Sequence, residues 1–148
     1  MTKDEYRKET WKHIIEVRSL LLTVIEKLLK KAARHDASKL QPPEFDLFAE
    51  SMSKFAKTPY GSKQYEQILK DLKPALDHHY AKNAHHPNHH AKGIRGMNLI
   101  DLIEMLCDWA TKKDKKEDIK QSIILNQKRF GYSDDLKLIL LNTLRILG

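Results

Sequence analysis

A second cysteine, a long apolar run, a hydrophobic leader and any two-residue alternation of apolar and polar side chains are all missing from this 148-residue chain. Each absence excludes something. With a single thiol, Cys107, no internal disulfide can form, and its place inside the apolar segment Leu99–Trp109 predicts burial. No stretch approaches the ~20 apolar residues of a membrane span; the longest, Leu20–Ile25, contains Thr23. Lys3, Asp4, Glu5, Arg7, Lys8 and Glu9 precede any apolar stretch, so nothing there reads as a secretory signal. A cytoplasmic location without a membrane partner is expected. The lack of strand-like alternation and of internal repeats leaves an all-α fold.

What is present fits a globular chain: 41% hydrophobic and 32% charged residues, in a length suited to one domain spanning 1–148. The net charge of +7 suits a polyanionic ligand such as a nucleotide or nucleic acid, although many soluble proteins are as basic without binding either. The histidines say more. Six of the eight lie between His78 and His90, a concentration of metal-ligating, proton-titrating side chains.

The apolar positions Val17, Leu20, Leu21, Val24, Ile25, Leu28 and Leu29 predict one long helix over about 4–33, uninterrupted by glycine or proline. Stepping that stripe back by fours from Val17 reaches His13 and Glu9, which places both on the face expected to point inward. Gln41-Pro42-Pro43 breaks the chain before a helix over 44–57, and 58–62 is a loop. The line Tyr65, Ile68, Leu69, Leu72, Leu76 predicts a third helix over 63–83, with His79 rather than His78 facing inward. Pro87, Gly93 and Gly96 make 84–96 an irregular, histidine-bearing loop. An apolar helix over 97–111 carries Asp101, Glu104 and Asp108 on one face. A lysine-rich link at 112–116 then leads to helices over 117–130 and 133–147, separated by Gly131, with Ser133 as N-cap. The expected architecture is a compact bundle of about five to seven helices. The apolar helices near the C-terminus could pack internally or against a second copy.

Imidazole nitrogens and carboxylate oxygens projected inward from several helices are what a borderline divalent metal requires. His13, the adjacent pair His35-Asp36, and Asp108 form such a set. Two neighbouring residues can both serve as ligands only where the backbone bends, which suits a helix end.

In the order His, His-Asp, Asp, carried by His13, by His35-Asp36 within Arg34-His35-Asp36-Ala37-Ser38-Lys39, and by Asp108 within Leu102–Trp109, the chain resembles the HD superfamily of metal-dependent phosphohydrolases. His-Asp-Ala-Ser is similar to the HD-type 5'-deoxynucleotidases, and the following Lys39 to the His-Asp-x-x-Lys of HD-GYP phosphodiesterases. The pattern from His78 to Pro87 and the helix from Asp101 to Trp109 also resemble an uncharacterised family common in phages and bacteria, which supplies no activity. No Gly-Tyr-Pro motif follows the second histidine cluster, which argues against cyclic dinucleotide hydrolysis.

The superfamily resemblance implies an HD-like fold and a site of one or two divalent ions (Mn, Fe, Co, Ni or Zn). By comparison with dinuclear members, His79, His85 and His86 join His13, His35, Asp36 and Asp108 as metal ligands, with Glu9 a further position. It implies hydrolysis of a nucleotide or other small phosphate ester, the ion activating water and stabilising developing charge. Lys39, Arg95 and Arg129 are candidates to hold the substrate phosphate, Lys39 thereby acting in catalysis, and Glu104 to orient a ligand histidine or relay a proton. Against this stand simpler readings: a core histidine for His13, helix capping for Asp36 or Ser38, a solvated loop or adventitious nickel site for His85, His86, His89 and His90, and a polar helix face for Asp101 and Glu104. The rival function is a non-catalytic module binding nucleotide or nucleic acid around a structural metal. A third is redox chemistry, since some HD-fold proteins are diiron oxygenases.

Overall fold

A computed structural model describes residues 1–59, 61–111 and 119–147, which fall into two units, Met1–Arg34 and His35–Gly148. Among the described residues the chain is all-α, with six α-helices, three short 3-10 turns and no strand.

The first unit is a single helix, α1 (Lys3–Arg34). Its start is a reciprocal cap: Thr2 Oγ1 accepts from Glu5 N at 3.2 Å while Glu5 Oε2 accepts from Thr2 N at 2.7 Å. Asp4 and Glu5 in the first turn and Lys31 and Arg34 in the last complement the helix dipole. No residue of α1 is buried. Glu9 and His13 are therefore exposed, as are Trp11 and most of the apolar stripe, in place of the inward-facing positions the periodicity predicts. One helix taken by itself has nothing to bury a stripe against, and periodicity alone does not supply the partner.

The second unit begins at the His35-Asp36 turn and a 3-10 turn over Ala37–Leu40. Next come α2 (Glu44–Phe55) and α3 (Lys63–Lys82), which pack together. Ser62 caps α3, accepting from Tyr65 N. The buried face of α3 runs Ile68, Leu72, Ala75, His79, at spacings of four, three and four, so His79 is the polar end of an apolar stripe, as its position predicts. Two 3-10 turns, Pro87–His89 and Gly93–Gly96, fill the irregular segment. Ile94 plugs it into the main core, formed with Met105, Leu106, Trp109, Ile123, Tyr132 and Leu140.

That core is built by α4 (Leu99–Thr111), α5 (Ile119–Phe130) and α6 (Asp134–Leu144). Asn98 caps α4, accepting from Asp101 N at 3.0 Å and donating to the buried Asp101 carboxylate at 2.7 Å. Asp101 thus holds the capping Asn98 in place. Gly131 ends α5 in the left-handed conformation, and Ser133 caps α6 as expected, although α6 stops at Leu144. Cys107 is exposed, against expectation: α4 buries Met105, Leu106 and Trp109, and Cys107 falls on the opposite face. The link at 112–116 and the start of the following helix at 117 lie outside the described residues.

Tyr132 closes the core with its hydroxyl donating to the Ile123 carbonyl. Burial pushes its phenol from 10.0 up to about 12. The folded state therefore favours the protonated phenol, and this stabilisation is complete below pH ~10 and lost as pH rises towards ~12. Urea unfolding of wild type should weaken across that window, and Tyr132→Phe should lose that part of the slope; identical profiles would mean the phenol is not held this way.

Candidate metal centre

The pair His35-Asp36 sits directly after the last residue of α1, at a bend. Asp36 adopts the left-handed conformation (φ 53, ψ 16), which an aspartate tolerates better than most residues and which turns both side chains towards the same point. His35 Nε2 lies 3.6 Å from Asp36 Oδ2 and 3.8 Å from Asp108 Oδ1 on α4. The other oxygen, Asp36 Oδ1, faces His79 Nε2 at 3.4 Å and His85 Nε2 at 3.5 Å. His79 Nε2 is in turn 2.9 Å from His86 Nε2. Four imidazoles and three carboxylates, Asp36 included, are thus gathered from four separate segments, in the overlapping groups Asp36–His79–His85–His86, His35–Asp36–Asp108 and His35–His85–Glu104.

Two further carboxylates aim these rings. Glu44, the first residue of α2, is fully buried and accepts from His79 Nδ1 at 2.8 Å, His78 Nδ1 at 2.7 Å and Ser38 Oγ at 3.1 Å. Burial raises its carboxyl, but the bonds from His78, His79 and Ser38 outweigh that and hold it below the usual value. Asn83, at the end of α3, has two amide hydrogens, which reach Ser38 Oγ and the His79 carbonyl, each at 2.8 Å. His79 Nδ1 thus faces Glu44, and its Nε2 faces Asp36 and His86. Glu104 does the same for His35, whose Nδ1 is 3.0 Å from Glu104 Oε1, and the same oxygen lies 3.2 Å from His85 Nδ1. Such outer carboxylates fix the tautomer of a ligating histidine and raise its basicity.

The donor set fits a divalent ion. His85 is 1% exposed with neither ring nitrogen hydrogen-bonded, and Asp36 Oδ1 is buried and likewise without a hydrogen bond. A buried polar atom left in that condition costs about 1–3 kcal/mol. Here two of them face each other among other lone pairs. Their spacings are close to the ~3.0–3.4 Å expected between ligands sharing an ion at ~2.0–2.1 Å. Burial pushes His85 down, and burial with the neighbouring His85 and His79 takes His86 to about 3, so His86 is neutral and able to ligate near pH 7. Burial raises the Asp36 carboxyl, yet Lys39, bonded to Oδ2, and then His35 and His79 bring it below the ordinary range.

The remaining sequence-derived positions divide. His13 belongs to α1 in the first unit and is exposed there. Arg95 is exposed on the second 3-10 turn of the loop, and the Arg129 guanidinium lies over the Phe130 ring at 4.9 Å; no hydrogen bond or ion pair among the described residues joins either to the cluster. His89 and His90 pin the loop instead, through the Tyr80 and Ala84 carbonyls, each at 2.8 Å. Gly96 crosses His90 so closely that an added Cβ would lie 2.9 Å from His90 Cβ. Helix capping does not explain Asp36 or Ser38, since Asp36 makes no side-chain cap and Ser38 bonds Glu44. Sequence reasoning missed Glu44, Asn83 and Ser38. The one available signal was an acidic residue after Pro42-Pro43, which reads equally well as a partner for the helix dipole.

Glu44→Gln should keep the shape of the site while removing the negative charge and one of the two acceptor oxygens that hold His78 and His79. Metal affinity, measured by calorimetric titration, should fall about ten- to hundredfold. Unchanged affinity would deny Glu44 this orienting role.

No curated protein and no solved structure matches the chain. A match does exist at the level of families, and it runs over residues 2–146, nearly the whole length. The chain belongs to the family of unknown function DUF5662.

Proposed function

We propose that this protein is a metal-dependent phosphohydrolase acting on a nucleotide or another small phosphate ester. The observation that carries the reading is the buried pair of His85 Nε2 and Asp36 Oδ1, neither hydrogen-bonded, 3.5 Å apart beside the Nε2 atoms of His79 and His86. A structural histidine cluster would be expected to spend those atoms on one another or on the backbone, as His89 and His90 do.

In this reading Asp36, His79, His85 and His86, with His35 and Asp108 alongside, hold the ion. A divalent ion there supplies Lewis acidity and lowers the pKa of a water molecule towards neutrality. Glu44 and Glu104 keep the ring nitrogens aimed inward. Lys39, whose ammonium rests on Asp36 Oδ2 and whose side chain is 43% exposed, is the cation placed to meet a phosphoryl oxygen arriving from solvent. Glu104 is already engaged with His35, which favours an orienting role over proton relay. The HD resemblance supports the same chemistry through the order of His35-Asp36 and Asp108, and it alone supports a role for His13.

The test is metal content by elemental analysis on protein prepared without a histidine tag, followed by a screen of nucleotides and simple phosphate esters with manganese, cobalt, nickel and iron. Wild type should carry near-stoichiometric metal. Asp36→Asn, which tolerates the left-handed backbone, and His85→Gln should each lose it together with at least a hundredfold of any turnover. Full turnover in either variant, or a metal-loaded wild type inert to every phosphate ester, would sink the hydrolase reading.

A further inference from the structure

We propose that the site holds a single divalent ion, on Asp36 Oδ1 with His79, His85 and His86, and that the Lys39 ammonium stands in for a second cation on Asp36 Oδ2. The inference rests on the metal-centre reading above and assigns what that reading leaves open, the number of ions.

Asp36 is shared by two groups of ligand atoms, one at each oxygen. Oδ1 meets the imidazoles of His79, His85 and His86, and Oδ2 meets His35 Nε2 at 3.6 Å, with Asp108 Oδ1 completing that second group. Taken as ligand sets alone, both could bind a cation. They differ in what already stands on the carboxylate. Oδ1 is buried and has no hydrogen-bond partner among the described residues. Oδ2 is in an ion pair with Lys39 Nζ.

That ion pair is built into the local backbone. Lys39 is three residues beyond Asp36, and its amide donates to the Asp36 carbonyl at 2.9 Å, which closes the 3-10 turn and returns the side chain over the carboxylate. The ammonium therefore needs no distant partner to hold it. A divalent ion entering the His35–Asp36–Asp108 group would have to displace a charge-assisted hydrogen bond and accept a fixed positive charge close by. Either effect weakens the second group against the first. Two-ion hydrolytic sites place a second divalent cation a few ångströms from the first, where it shares the phosphoryl oxygens. Lys39 occupies the corresponding side of Asp36 with one positive charge and no open coordination position.

The experiment is a manganese titration of the full chain, followed by calorimetry and by electron paramagnetic resonance, on wild type, Lys39→Met, Lys39→Gln and Lys39→Arg. Two neutral variants are carried so that loss of fold in one, seen by circular dichroism, leaves the other. Wild type and Lys39→Arg should bind one ion with the spectrum of an isolated manganese. The neutral variants should bind a second ion at least tenfold more tightly than wild type does and show a spin-coupled pair. One ion in both folded neutral variants, or two ions of similar affinity in wild type, overturns the assignment to Lys39 and leaves the metal centre standing. No ion in wild type overturns the metal centre and this inference with it.

Discussion

The buried carboxylate of Glu44 is the constraint on which the rest of the site depends. An ionised group removed from water is tolerable only when nearly all its lone pairs are engaged, and here two imidazole N–H groups and one hydroxyl engage it. The consequence reaches further than the carboxylate. Because Glu44 engages His79 Nδ1, the other nitrogen, Nε2, is turned to the centre, and because Ser38 is drawn to Glu44, the turn carrying Asp36 is tied to the start of α2. Asn83 ties the same hydroxyl to the end of α3. One buried anion thus fixes the relative positions of three segments that sequence separates by up to 45 residues.

Most residues of the cluster that could hold a metal were legible in the sequence because they follow rules of chemistry and periodicity. His79 extends a stripe of aliphatic residues spaced at three and four, so its burial could be anticipated from Ile68 and Leu72. His35-Asp36 is a polar pair at a helix end, and Asp108 shares a helix face with Glu104. The orienting residues were not legible in the same way. Glu44 opens a helix, where an acidic residue is common for reasons of dipole alone, and only the fold turns it inward. Cys107 shows the opposite failure: an apolar neighbourhood in sequence says nothing about which side of the helix a residue occupies. For α1 the stripe was visible, but what lies against a stripe is a fact of tertiary structure, and Glu9 and His13 are exposed on that helix.

The loop after α3 shows how irregular backbone can hold rigid chemistry. His85 and His86 need fixed positions, yet they lie outside any α-helix. Rigidity comes from anchors at both ends: Asn83 bonded to the last turn of α3, His89 and His90 bonded to carbonyls of Tyr80 and Ala84, and Ile94 buried in the core of α4, α5 and α6. Six histidines in thirteen residues therefore divide by task. His79, His85 and His86 face the centre, His78 engages Glu44, and His89 and His90 hold the backbone. A count of histidines alone overstates twofold those that face the centre.

The balance of charge around Asp36 links this geometry to stability. Asp36, Asp108, Glu44 and Glu104 bring four carboxyl groups into one region, where Lys39 is ion-paired with Asp36 and His86, at about 3, is neutral near pH 7. Each carboxylate loses water on folding, a cost that the Lys39 ion pair offsets at Asp36 and the bonds from His78, His79 and Ser38 offset at Glu44. A divalent ion bound only by the folded chain returns that cost as folding free energy, because the unfolded chain has no assembled site. The same arrangement of imidazoles and carboxylates is one that could hold a cation. Glu44 differs from the other three in its position: bonded to the outer nitrogens of His78 and His79, it can remain an anion whether or not the centre is filled. It is thereby suited to keep His79 aimed before the ion arrives.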